Sequence, residues 1–220
     1  MPNNMNFITP LHRQTRRDYI GRMTDDKIKC MQTARRYGKD FWDGDRRYGY
    51  GGYRYDGRWQ SVAEKMIDHY ALDHDARILD VGCGKAYLLY EFKKLLPDVQ
   101  ITGFDLSSYA IENSKKEIRS DLFVHKAQDP YPYEDKAFDL VISLTTLHNL
   151  YLHDLKAALQ EIERVGRNKY VAVESYRNES ELFNLQCWAL TCESFFTPAE
   201  WVWMFAEFGY KGDYEFIYFE

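Results

Sequence analysis

A chain of 220 residues with 45% hydrophobic side chains can bury one substantial core, and it holds no apolar run of about 18 residues, which excludes a spanning helix. The net charge of -5 conceals an asymmetry: residues 1–60 carry 13 Lys and Arg against 7 Asp, whereas residues 61–220 carry 16 against 27 Asp and Glu. The acidic main part argues against a nucleic-acid partner, while the basic first part suits a small anionic substrate, an acidic surface, or nothing beyond solvation of its helices.

Residues 1–60 are expected to form a helical and aromatic-loop cover, and residues 61–220 the main domain. Met1-Pro-Asn-Asn4 lacks the basic start and apolar stretch of a signal peptide, and Cys30, Cys83, Cys187 and Cys192 lack any C-x-x-C spacing. A cytoplasmic chain with reduced thiols and no zinc site is therefore expected. Thr24-Asp-Asp26 opens and Arg35-Arg36 with Gly38 closes a helix over 25–37. The stretch Phe41–Trp59 is too rich in glycine for a regular element and too aromatic for a disordered linker, so it reads as an ordered loop.

Val62, Met66, Ile67 and Tyr70 share one face of a helix over 61–70. Ile78, Leu79 and Val81 form a buried strand, broken at Gly82 and Gly84 by a tight turn, and Leu88, Leu89, Phe92 and Leu95 give the next helix its apolar side. Further strands are expected at 99–105, 122–124, 137–144 and 169–175, with helices after Ser107 and around Leu155–Ile162. Residues 181–194 are apolar nearly all round and read as a buried helix; Thr197-Pro-Ala-Glu200 is a capping box opening another, and residues 214–219 alternate as a final strand. Strands alternating with helices imply an α/β fold, a doubly wound, mostly parallel sheet with ligands at the carboxyl ends of its strands, where Asp80, Asp105, His148 and Glu174 stand.

A strand, a glycine turn and a helix start commonly hold a nucleotide phosphate. Here Asp80 stands two residues before Gly82, and Tyr87 takes the last position of a Gly-x-Gly-x-x-Gly fingerprint, so a cationic ligand fits better than a pyrophosphate. Asp80-Val-Gly82-Cys-Gly84-Lys-Ala86 resembles the first motif, Asp-x-Gly-x-Gly-x-Gly, of the class I S-adenosylmethionine-dependent methyltransferases, with alanine for the last glycine. Asp105, 25 residues after Asp80, matches the acid that binds both ribose hydroxyls in that family, and the Phe138-Asp139 strand matches a third family feature. The resemblance implies S-adenosyl-L-methionine as cofactor, a Rossmann-like sheet, and cofactor contacts at Asp80, Gly82, Cys83, Gly84, Asp105, Leu106 and Ser143. Its adenine acid maps near Ala127, where Gln128 or Asp129 could read the base.

Methyl transfer to a hydroxyl or amine also needs a proton acceptor. His148, in the loop that lies above the methyl group in the family, is the first candidate and Glu174 the second, each against a purely structural role. Arg46, Arg47, Tyr48, Tyr50 and Tyr53 in the cover, and Tyr176 and Arg177 after the fifth strand, are candidate contacts to an anionic acceptor. Leu147–Tyr151, Glu174–Arg177 and Phe216–Glu220 are similar to bacterial methyltransferases associated with capsule or lipopolysaccharide biosynthesis, which implies a sugar or phosphorylated precursor as acceptor. An RNA or protein methyltransferase, a non-catalytic cofactor-binding subunit and a dinucleotide oxidoreductase stay open as alternatives. The lone hydrophobic final strand suggests a homodimer through its edge, since most relatives supply two strands there in antiparallel pairing.

Overall fold

The computed structural model describes residues 2–220. In chain order the elements are α1 (Thr9–His12), α2 (Tyr19–Thr24), α3 (Lys27–Ala34), α4 (Lys39–Asp43), a 3-10 turn at Arg46–Tyr48, α5 (Gln60–Tyr70), β1 (Arg77–Val81), α6 (Tyr87–Leu95), β2 (Gln100–Asp105), α7 (Ser108–Glu112), β3 (Leu122–Val124), β4 (Phe138–Leu144), α8 (Leu152–Val165), β5 (Gly166–Glu174), α9 (Glu179–Trp188), α10 (Pro198–Glu207) and β6 (Asp213–Ile217). The strands form one sheet in the order β3-β2-β1-β4-β5-β6, every pair parallel. Among the described residues no helix is long and apolar enough to cross a membrane.

Both faces of the sheet are covered, which explains its continuous apolar strands. Because side chains alternate across a strand, Ile78, Leu140, Ile142 and Ala172 face the layer of α5 and α6, while Leu79, Val81, Val141 and Val173 face α8 and α10. The order reverses between β1 and its neighbours β2 and β4, so the crevice at the carboxyl end of β1 is the natural ligand site of this topology.

Three expectations differ from the structure. The helix expected over 25–37 begins at Lys27, because Thr24 closes α2 and Asp26, left-handed at φ 41°, caps α3 by accepting from the Lys29 N–H. It ends at Ala34; Tyr37 makes the left-handed turn at φ 47°, and Gly38 precedes α4 instead. The buried helix expected to 194 stops at Trp188, where the backbone turns extended at Ala189.

The final strand differs most. It lies parallel to β5, not in an antiparallel pair, and its outer edge is occupied from within the chain: Asn4 bridges Tyr214, the Met5 N–H donates to the Tyr214 carbonyl at 2.8 Å, and the Tyr214 N–H donates to the Asn3 carbonyl at 3.0 Å. The edge argument for a homodimer falls, because the first residues already satisfy backbone groups of β6. Beside this pairing the buried Glu215 carboxylate accepts N–H bonds from Phe7 (2.6 Å), Ile8 (3.2 Å) and Thr9 (2.6 Å) and the Tyr170 hydroxyl at 2.5 Å. Phe7 and Ile8 thereby enter the same core as β1, so the cover and the main domain share one hydrophobic interior. Glu215→Gln removes the charge and turns an amide N–H toward these donors; a loss of about 3 kcal/mol is expected, within the range of charged hydrogen bonds, read by urea denaturation and by faster proteolysis before Thr9.

Candidate functional site

The turn after β1 owes its shape to missing side chains. Gly82 sits at φ 78°, and a Cβ there would fall 2.3 Å from the Thr146 side chain; Gly84 sits at φ 56°, where a Cβ would fall 2.6 Å from the Trp42 ring. Ala86, in place of the family's third glycine, also holds a left-handed φ of 55°, a strain of about 1 kcal/mol that the tightly packed start of α6 absorbs. Tyr87 follows as an anchor for the cover: its hydroxyl donates to the Tyr53 carbonyl at 3.1 Å, and its ring stacks on Tyr53 at 5.1 Å. Lys85, buried, donates to both oxygens of Asp43 at 2.7 Å and to the Tyr53 carbonyl at 2.9 Å.

The aromatic loop so fastened roofs a cavity of about 470 Å³ over the carboxyl ends of β1, β4, β5 and β6. Its lining includes Asp80, Gly82, Cys83 and Gly84 from the turn, His148 and Glu174 from the ends of β4 and β5, and Arg17, Arg22, Arg46, Tyr50, Tyr53 and Trp188 from the cover and α9. Of the residues expected around an anionic acceptor, the structure brings Arg46, Tyr50 and Tyr53 to the cavity. The others lie elsewhere: Arg47 is drawn to Asp25 at 2.7 Å, Tyr48 packs on the small cluster of Cys30, Ala34 and Leu190, and Arg177 pairs with Glu181 and Glu220, with Tyr176 packed into the core beside it. Arg17, Arg22, Trp42 and Trp188 were not anticipated. Arg17 and Arg22 belong to the basic N-terminal segment, whose charge excess was the one signal pointing to them.

Asp80 is buried and its Oδ1 has no hydrogen-bond partner among the described residues. Burial, and then the nearby charge of Asp105, push its carboxyl up to about 8. A buried carboxyl without a partner inside a cavity suits a cationic group, so Asp80 and the glycine turn fit the ammonium end of S-adenosylmethionine. Asp105 accepts the Gly84 N–H on Oδ2 and the Ser107 N–H on Oδ1, both at 2.8 Å; each oxygen keeps a lone pair for a ribose hydroxyl. Burial raises its carboxyl, and the two N–H bonds oppose that rise. This side of the turn is closed over by Trp42, whose Nε1–H donates to the Ser107 hydroxyl at 2.9 Å. Accordingly Asp105, Leu106, Gln128 and Asp129 do not line the cavity; Leu106 is exposed, and Gln128 and Asp129 lie in the turn beyond β3. Ser143 is also outside it, fully buried with its hydroxyl donating to the Val81 carbonyl at 2.9 Å, a strap between β4 and β1.

The two candidate bases are neighbours with separate states. The Glu174 N–H donates to His148 Nδ1 at 3.2 Å, which leaves the ring proton on Nε2, 3.4 Å from Glu174 Oε2. Burial lowers His148 to about 3 and raises Glu174 to about 7, the latter opposed by the positive charge of Arg17. Near neutral pH the ring is uncharged, and of the two Glu174 is the group that exchanges a proton.

Residues 72–209, more than half of the chain, match the methyltransferase-domain family. Over 130 residues the chain is 27% identical to the mitochondrial arginine-hydroxylase NDUFAF5 of Mus musculus, covering 58% of this chain and 37% of that protein. Over 92 residues it is 34% identical to the malonyl-acyl-carrier protein O-methyltransferase of Legionella pneumophila, covering 40% and 32% respectively. The chain thus spans about a third of the length of these curated relatives. Among solved structures, geranyl diphosphate methyltransferase in complex with SAM superposes with a TM-score of 0.55 at 16% identity, over 67% of this chain and 63% of that one. The YcgJ protein of Bacillus subtilis gives 0.52 at 19% identity over 66% of each chain. At such identities the likeness is one of fold, and it agrees with the sheet order and the turn described above. The matched span runs from just before β1 to the end of α10 and takes in Asp80 and Asp105: the chain belongs to the methyltransferase-domain family, with S-adenosylmethionine as its cofactor.

Proposed function

We propose that this protein transfers a methyl group from S-adenosylmethionine to an oxygen or nitrogen of a small anionic metabolite, with Glu174 taking the acceptor's proton. The observation that carries the reading is the unpartnered Asp80 carboxyl in the same cavity as Glu174. The cofactor supplies a methyl group on a sulfonium, open to direct displacement. Asp80 holds the ammonium, Asp105 the ribose hydroxyls once Trp42 yields its place on Gly84, and Gln128 or Asp129 the adenine edge. His148, by accepting the Glu174 N–H on Nδ1, holds the end of β5 in place, and the charge of Arg17 favours the ionised form of Glu174. The aromatic cover excludes water and holds the acceptor at attacking distance, which is the protein's main contribution to a displacement of this kind. The cavity volume suits a metabolite rather than a polymer, and its arginines favour an anion; the capsule resemblance adds a sugar or phosphorylated precursor of a surface polysaccharide as the class to screen.

Calorimetric titration with S-adenosylhomocysteine and, separately, with NAD tests the cofactor part. A cation beside Asp80 favours the ionised carboxylate, so its pKa falls on binding and a proton is released at neutral pH. Affinity should therefore rise with pH up to about 8 and then level, with proton release seen as a dependence of the heat on buffer ionisation. Binding of NAD alone would overturn the reading.

A further inference from the structure

We infer that Arg17, Arg22 and Arg46, gathered around the indole of Trp188, form the seat for a compact oxyanion of the acceptor, a carboxylate or a phosphate. The inference rests on the methyltransferase reading above and adds which end of the cavity the acceptor's charge occupies. The three guanidinium carbons lie 5.5, 4.2 and 4.9 Å from the Trp188 ring centroid, and all three residues line the cavity.

None of the three pairs with a carboxylate among the described residues, whereas Arg47 and Arg58 each have one such partner and Arg177 has two. Arg22 donates to the carbonyls of Arg46, Arg47 and Gly49, and Arg46 to the Gly49 carbonyl. Arg17 donates to the carbonyls of His12 and Thr15 and meets His12 Nδ1, while its buried Nε–H has no acceptor. Donors are thus left over, and carboxylates act on the charge only without direct pairing, Glu174 on Arg17 and Asp25 on Arg22. Burial, with the added repulsion of Arg46, lowers Arg22 to about 10, and burial lowers Arg17 and Arg46 as well. The face of one indole is too little to offset three like charges brought together out of water. An oxyanion that accepts from several forks at once supplies the missing partner.

The strand order fixes where this seat lies. Asp80 ends β1, His148 follows β4, Glu174 ends β5, and Arg17 lies 5.1 Å over the ring of Phe219, just past β6. With strands about 4.8 Å apart, Glu174 stands about 10 Å from the Asp80 end, and the arginines lie one strand farther on. An acceptor anchored there by its oxyanion presents its other end to Glu174 and the methyl donor.

The test uses inorganic phosphate and acetate as probes, titrated into the protein saturated with S-adenosylhomocysteine. Arg46→Gln and Arg17→Gln are compared with the parent; Arg22 is left intact because it holds the cover's backbone. Phosphate or acetate should bind the parent and bind each variant about tenfold or more weakly, with S-adenosylhomocysteine affinity unchanged within about twofold. If a variant loses its cooperative melting transition, Arg46→Lys replaces it, which keeps charge but not the fork and should weaken the probe by a smaller factor. Absence of probe binding to the parent, or equal binding to all variants, overturns the seat. Failure of S-adenosylhomocysteine to bind the parent overturns the methyltransferase reading instead, and the two outcomes are separately visible. Phosphate bound in preference to acetate points to a phosphorylated acceptor, and the reverse to a carboxylate.

Discussion

Glu174→Gln should lower the rate of methyl transfer by about 10²- to 10⁴-fold, the usual contribution of a positioned general base, while S-adenosylhomocysteine affinity stays within about twofold. Glutamine keeps the shape and can still face the His148 ring, so loss of activity without loss of fold isolates the proton-accepting role. The pH profile gives a second readout. Burial sets Glu174 near 7, so kcat/KM in the parent should rise about tenfold per pH unit below that value and level above it. In the glutamine variant this rise should vanish. Were His148 the base, a group held near 3 would leave the parent's profile flat around neutrality, and Glu174→Gln would keep most of the parent's activity.

Asp105→Ala should weaken S-adenosylhomocysteine binding by about 10²- to 10⁴-fold, the sum of two hydrogen bonds to a charged acceptor at about 1.5–3 kcal/mol each. The same carboxylate also fixes the turn, since it accepts the Gly84 and Ser107 N–H groups. Asp105→Asn separates the two effects: its one carbonyl oxygen can serve one of those donors but not both, so an intermediate loss is expected. An Asp105→Ala protein that binds the ligand as tightly as the parent would place the ribose elsewhere.

What the sequence makes legible is local. Strands such as Phe138–Leu144 announce themselves because burial on both faces demands continuous apolar runs, and the Thr197–Glu200 capping box marks the start of α10 because its bonds join near neighbours. Asp80 and the glycine turn are readable for the same reason. Boundaries shift where two signals compete, as when Thr24 and Asp26, two residues apart, end one helix and begin the next. The arginine seat is not readable, since residues 17 and 22, 46, and 188 come from three separate segments and meet only once the cover folds down. Arg46 and Arg47 are adjacent and chemically equal in sequence; the single 3-10 turn that carries them sends one into the cavity and the other to Asp25.

The hydrogen bonds from Phe7 and Thr9 to Glu215 join residues 208 and 206 positions apart. Closing a loop that large is among the last and slowest events of folding, because the chain loses its freedom before any of these contacts repays it. Ile8, Leu11 and His12 on one side and Ile217 and Phe219 on the other are walls of the cavity, so the cavity has no complete wall until both segments have been synthesised. A nascent chain emerging from the ribosome carries the glycine turn and Glu174 long before it can enclose a substrate, and truncation just before residue 213 should yield a folded sheet core with an open, unproductive site.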